Sequence, residues 1–85
     1  MTTTIYTTPT CAFCKATKAY FQENNIDYKE VDVSSDTEAA QAMVAKSGQM
    51  GVPVIIVAQD NGTEEIIVGF DQKKLSEALH IAPAQ

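Results

Sequence analysis

Two cysteines stand three apart in Cys11-Ala12-Phe13-Cys14, and the chain contains no others. Thiols at that spacing fit opposite ends of one helical turn, close enough to join as a disulfide and to part again. After a short strand and at the opening of a helix, such a pair reads as a dithiol redox centre. Cys11 is expected at the helix N-terminus, where unpaired backbone N–H groups and the helix dipole favour a thiolate. A thiolate so placed is a nucleophile near neutral pH. Cys14, one turn inside the helix, is expected to be less exposed and less acidic, and so to resolve rather than initiate. Two other readings of the spacing stay open. A structural zinc site wants four ligands, and the only histidine, His80, lies far along the chain, so no metal site is expected. Two inert, buried cysteines also satisfy the pattern taken alone.

The rest of the chain has to position this pair. Its 85 residues allow one domain, 1–85, near the size where burial only just offsets chain entropy. Two cysteines supply no disulfide framework, so an efficient α/β core is needed. The formal net charge is -5 and no lysine-rich run occurs. That argues against nucleic acid or an anionic membrane as the main partner. Met1-Thr2-Thr3-Thr4 has neither the basic start nor the apolar stretch of a signal peptide. No apolar segment approaches the ~20 residues needed to span a membrane. A soluble chain in a reducing, cytoplasmic setting is expected.

Strands and helices alternate along the chain. Thr4-Ile5-Tyr6-Thr7 is β-branched and aromatic, a first strand, and Thr8-Pro9-Thr10 breaks it. A helix follows from Ala12 to about Glu23, with Cys14, Thr17, Tyr20 and Phe21 on one face, and Asn24-Asn25 stops it. Tyr28 to Val33 reads as a second strand. Ser35 followed by Glu38 forms a capping box for a helix to about Lys46. Ala40, Met43 and Val44 give that helix its apolar stripe, and Gly48 supplies its stop. Val54-Ile55-Ile56-Val57 is apolar on both faces, as a central strand must be. Asp60-Asn61-Gly62 signals a hairpin that returns Glu65 to Val68 antiparallel. Gly69-Phe70-Asp71 is the exit turn, with Asp71 as N-cap. Leu75, Ala78 and Leu79 form the inner stripe of a last helix, with Pro83 beyond it. His80 reads as a surface residue near that helix's C-terminus. Lys15 and Lys18, in the first turns of the cysteine helix, are able to support a thiolate, but a solvated helix face explains them nearly as well.

The order β-α-β-α-β-β-α, with a dithiol after the first strand, resembles the glutaredoxins of the thioredoxin superfamily over nearly the whole chain. Four stretches carry the likeness: Tyr6 to Cys14, Tyr28-Lys29-Glu30-Val31-Asp32-Val33, Gly51-Val52-Pro53-Val54 and Val68-Gly69-Phe70-Asp71. The second pair of motifs, extended back to Gly48, is most similar to small bacterial YruB-type glutaredoxins and to the NrdH-like redoxins that serve ribonucleotide reductase. The resemblance implies an α/β, thioredoxin-like fold: a four-stranded mixed sheet in order 2-1-3-4 with three helices on its faces. It also implies a cis Val52-Pro53 peptide opposite the cysteines.

What the resemblance implies about function is a dithiol thiol–disulfide oxidoreductase. Cys11 and Cys14 would be catalytic, reducing protein disulfides or mixed disulfides with glutathione. Phe13, Val52, Pro53, Gly69, Phe70 and Asp71 would bind substrate or glutathione. Phe13 would wall the groove, the Val52 backbone would pair with an extended peptide, and the Phe70 and Asp71 amides would hold a carboxylate. A plain structural role is also open to several: exposed surface for Phe13, a turn for Gly69, a cap for Asp71. No bound cofactor is expected, and glutathione is the implied co-substrate. Expected partners are disulfide-containing proteins or glutathione, with a glutathione or thioredoxin reductase system as electron source, and the chain is expected to be a monomer.

The chain departs from the family pattern at the glutathione end of the groove. Ala12-Phe13 stands where many members have Pro-Tyr, and Thr8 stands where a lysine is common. Val68-Gly69 replaces a double glycine, and Asp71-Gln72 replaces paired acids. An alternative of another class stays open: an iron–sulfur module in which two monomers bridge a cluster through Cys11 and two glutathione thiols. Ala12 relaxes the loop that proline restrains, and thiolate ligation suits such a cluster.

Overall fold

The computed structural model describes residues 2–79. In chain order the elements are β1 (Thr2–Thr7), α1 (Ala12–Glu23), β2 (Lys29–Asp32), α2 (Thr37–Ser47), β3 (Val54–Ala58), β4 (Glu64–Val68) and α3 (Gln72–Leu79). The strands form one mixed sheet in the order β2-β1-β3-β4. β1 runs parallel to β2 and antiparallel to β3, and β3 runs antiparallel to β4. Element order and sheet order are those implied by the sequence. His80 and Pro83 lie outside the described residues.

Register explains why one end of this sheet is chemically interesting. Thr7 stands opposite Asp32, Tyr6 opposite Val54, and Val54 opposite Val68. The ends of β1, β2 and β4 and the start of β3 therefore emerge together. The cysteine loop, the turn into α2, Val52-Pro53 and Gly69-Phe70-Asp71 are thus gathered along one edge. β3 is central and buried on both faces. Ile55 and Val57 join Ile5 and Ile67 in a core with Tyr20 and Phe21 of α1 and Leu75, Ala78 and Leu79 of α3. Val54 and Ile56 point the other way along the pleat and are buried as well, as is Met43 of α2.

The helix ends follow from local chemistry. α1 buries Cys14, Thr17, Tyr20 and Phe21, the face its sequence spacing marks out. It stops in a Schellman arrangement. Asn25 takes φ 56, its N–H donates to Gln22 O, and the Ile26 N–H donates to Phe21 O at 2.8 Å. α2 departs from expectation at its start: the N-cap is Asp36, whose Oδ1 accepts the Ala39 N–H at 3.0 Å, in place of Ser35. A carboxylate one residue later reaches the same orphan amides with a stronger, charge-assisted bond. Val44 of the expected stripe is about a third exposed and only Met43 is fully buried. Gly48 does end the helix, at φ 72. The hairpin after β3 closes with Gly62 at φ 89 and paired backbone bonds between Gln59 and both Gly62 and Thr63. β1 begins two residues earlier than expected, β4 one residue earlier, and β2 loses a residue at each end. No helix among the described residues is long and apolar enough to cross a membrane.

Candidate active site

Cys11 is the N-cap of α1. Its backbone is extended (φ -83, ψ 112), and its Sγ accepts the Cys14 N–H at 3.0 Å. N-caps are ordinarily oxygen side chains that satisfy an orphan amide of the first turn; here a sulfur does so. The sulfur thus sits at the start of the helix, against the first-turn amides. The loop before it is short: Cys11 N–H donates to Thr8 O at 3.3 Å. Cys11 is half-buried, whereas Cys14 is only 1% exposed. Both are free thiols.

Burial, followed by its hydrogen bond and charge coupling with Cys11, pushes the Cys14 thiol up to about 12. The Thr8 amide and the Lys18 ammonium act in the opposite direction. The two sulfurs are therefore inequivalent in access, and the buried one is held protonated by its surroundings.

The candidate binding residues fall into three kinds. Phe13, between the cysteines, is 66% exposed. Its carbonyl accepts the buried Thr17 hydroxyl at 2.7 Å, which fixes the first turn while the ring stays in solvent. Val52 and Pro53 precede β3 and are joined by a cis peptide bond. Pro53 is buried, and its carbonyl accepts the Gly69 N–H at 2.8 Å. Gly69 takes φ 82, so a side chain there would strain the turn although there is space for it. The Phe70 ring is committed inward, edge-on to Tyr20 with centroids 6.0 Å apart. Asp71 Oδ1 accepts the Lys74 N–H at 3.1 Å and so caps α3. The Phe70 ring and one Asp71 carboxylate oxygen are thus engaged within the fold.

The sequence marks Lys18 as able to support a thiolate but gives no sign of the small polar network that ties it to Glu30 and Thr7. Glu30 Oε2 receives both the Thr7 hydroxyl at 2.8 Å and the Lys18 ammonium at 2.9 Å. Lys18 holds the Glu30 carboxyl below its usual range, with Thr7 contributing. Glu30 in turn raises Lys18. The one signal for Lys18 is its spacing of four from Cys14; Glu30 joins only through the parallel register of β1 and β2. Among the described residues no group of three or more His, Cys, Asp or Glu side chains is arranged to hold a metal ion. A shallow groove of about 290 Å³ lies between β4 and α3, lined by Glu65, Ile66, Ile67, Lys74, Glu77 and Ala78, and includes neither cysteine.

Comparison with known proteins gives consistent likenesses. The glutaredoxin family model matches residues 3–61, a span that holds both cysteines and Val52-Pro53 but stops before Gly69-Phe70-Asp71. An uncharacterized glutaredoxin-like 8.6 kDa protein in the rubredoxin operon of Clostridium pasteurianum is 41% identical over 75 residues, covering 88% of this chain and 93% of that protein. The solved structure of the thioredoxin-like protein BC3987 superposes with a TM-score of 0.77 at 28% identity, over 89% of this chain and 97% of that one. The glutaredoxin-like NrdH-redoxin from Escherichia coli, described as having a thioredoxin-like activity profile, matches at a TM-score of 0.74 and 29% identity over 100% of both chains.

Proposed function

This chain belongs to the glutaredoxin family, whose general chemistry is thiol–disulfide exchange, and from that premise we propose that it is a dithiol oxidoreductase in which Cys11 attacks and Cys14 resolves. The observation that carries the proposal is the pairing of a half-buried N-cap sulfur with a buried partner whose amide it accepts at 3.0 Å. Cys11 thiolate attacks one sulfur of a substrate disulfide, and the other leaves as a thiolate that takes a proton from solvent. Cys14 then loses its proton and attacks Cys11 Sγ, which releases the second substrate sulfur and leaves a Cys11–Cys14 disulfide. The substrate gains two electrons and the protein loses two, to be restored by a glutathione or thioredoxin reductase system.

The coupling between the sulfurs gives this order a physical basis. Two of the causes that hold the proton on Cys14 come from Cys11 itself. Once Cys11 is tied up in a mixed disulfide it no longer carries charge, both causes lapse, and Cys14 ionises more readily. The resolving thiol is thus restrained until it is needed.

The substrates in this proposal are protein disulfides and glutathione mixed disulfides. Phe13 forms one wall, the backbone of Val52 beside Pro53 pairs with an extended peptide or with glutathione, and the Phe70 and Asp71 amides after Gly69 receive a carboxylate. The chain would act as a monomer in a reducing, cytoplasmic setting, with glutathione as co-substrate and no bound cofactor.

The test divides the two cysteines. Cys14→Ser is expected to accumulate a mixed disulfide, visible as an added mass removed by reductant, because attack continues and intramolecular resolution does not. Cys11→Ser is expected to accumulate none and to lose exchange activity. Alkylation at mildly acidic pH should label Cys11 first; faster labelling of Cys14 would reverse the assignment.

A further inference from the structure

Lys18 stands four residues after Cys14 on α1, so the two side chains rise from the same helix face on successive turns. Its ammonium is not left to solvent. It lies 2.9 Å from Glu30 Oε2 on β2, and its side chain is only 27% exposed. The same oxygen accepts the hydroxyl of Thr7, a buried residue at the end of β1. One carboxylate thus ties the cation to the strand from which the cysteine loop departs. Long surface lysines ordinarily lose such geometry to side-chain entropy; here the shared oxygen and the buried hydroxyl restrain it.

The placement bears on a specific difficulty. A thiolate on a sulfur as enclosed as Cys14 is poorly solvated, and it forms only if fixed charges or dipoles replace the missing water. Burial and then Cys11 oppose it; the Thr8 amide favours it, and so, as the smallest of these contributions, does the Lys18 ammonium. Lys18 in turn feels Glu30, Tyr28 and Cys14, and Glu30 feels Asp32.

Given the dithiol exchange above, on which this rests, we propose that Lys18, held by Glu30 and through it by Thr7, is a positioning residue for the resolving step, keeping a positive charge where the Cys14 thiolate forms. In that step the Cys14 proton goes to solvent and Cys14 Sγ attacks Cys11 Sγ. The Cys11–substrate S–S bond breaks, the Cys11–Cys14 bond forms, and the substrate sulfur departs with the electron pair. Lys18 gives up no proton and forms no bond. It lowers the cost of the charged state.

Stopped-flow reaction of the reduced protein with one equivalent of dithiobis(nitrobenzoate) separates the two steps. Attack by Cys11 releases one coloured thiolate and resolution by Cys14 releases the second. Lys18→Gln is expected to slow the second release by about threefold to fivefold, the size of one partly exposed charge contact, and to leave the first unchanged. Lys18→Arg should restore most of the rate. The slowed release should show its rise with pH displaced upward by about half a unit, and the displacement should shrink as salt screens the charge. A second release unchanged in Lys18→Gln would overturn the proposal. So would an equal slowing of both releases, which would mark a general loss of structure. Failure of the unmodified protein to release a second equivalent would instead overturn the dithiol exchange itself.

Discussion

Cys14 holds its proton because it is buried and because a second sulfur competes for charge beside it, and that has a consequence for stability as well as for reactivity. An unfolded chain ionises this thiol near its ordinary value of 9.0, whereas the folded protein does so only near about 12. Between those values the folded state binds more protons. Stability is therefore unaffected by this group below about pH 9 and declines as pH rises from there toward the folded value. Lysines and tyrosines titrate in the same range, so the comparison with Cys14→Ser isolates the effect. Urea unfolding of the reduced proteins between about pH 8 and about pH 10.5 should show a steeper decline in the unmodified chain than in Cys14→Ser. Equal slopes would mean that Cys14 is not held protonated by the fold. The placement of the cysteines, Cys11 at the helix start and Cys14 inside it, was legible in the sequence because it depends on local facts: spacing, a preceding strand and a helix start. The Lys18–Glu30–Thr7 network was not, because it depends on which residue of β2 the parallel pairing sets beside α1, and no short pattern encodes that.

At the scale of the elements, α3 depends on its cap more than α2 does. α3 has eight residues and brings Leu75, Ala78 and Leu79 into the core, while α2 fully buries Met43 alone. So short a helix is not stable in isolation, and Asp71 satisfies one of its few orphan amides. Asp71→Ala is expected to cost about 1 kcal/mol, lowering the melting temperature by roughly 4–8 °C for a domain of this size. Calorimetry on the reduced protein checks it, and an unchanged transition would show that the Asp71 carboxylate is dispensable for the helix. The cap of α3 was evident because Asp71 follows a glycine turn and precedes an apolar stripe. The cap of α2 was misplaced because Ser35 and Asp36 are adjacent and each has a plausible first-turn partner. What decides between them is the turn leaving β2. There Asp32 Oδ1 accepts both the N–H and the hydroxyl of Ser34, at 2.8 and 2.6 Å, and Asp36 takes the extended conformation of a cap (φ -134, ψ 99). The central place of β3 and its antiparallel return were legible in an apolar run and a hairpin signal, whereas the sheet order came from the family resemblance.

For the molecule as a whole, the decisive quantity is charge at the end of the sheet where the chain turns meet. The net charge is -5, and the turns at that end carry Asp32, Asp36 and Asp71, each of which serves as a hydrogen-bond acceptor for the local backbone. Held by the local backbone, these carboxylates add fixed negative charge at the end of the sheet from which the cysteine loop also departs. Against them stand the cations of α1, with Lys15 exposed on its first turn and Lys18 held beside Glu30, while Thr8 offers no charge at the mouth of the loop. A negative field attracts cationic reactants and repels anionic ones, with an effect that salt removes over a Debye length of about 8–10 Å. Such a field would make glutathione, with two carboxylates and one ammonium, a weaker co-substrate than a disulfide flanked by lysine or arginine. Reduction of cystamine, which carries two positive charges, is therefore expected to outpace reduction of dithiodiglycolate, which carries two negative ones. After correction for the uncatalysed reaction of each disulfide with a small thiol, the ratio should be at least about fivefold at low ionic strength, and it should fall toward unity in about 0.5 M salt. A ratio near one at low salt, or one indifferent to salt, would show that the field at Cys11 is not negative and that charge does not set partner choice.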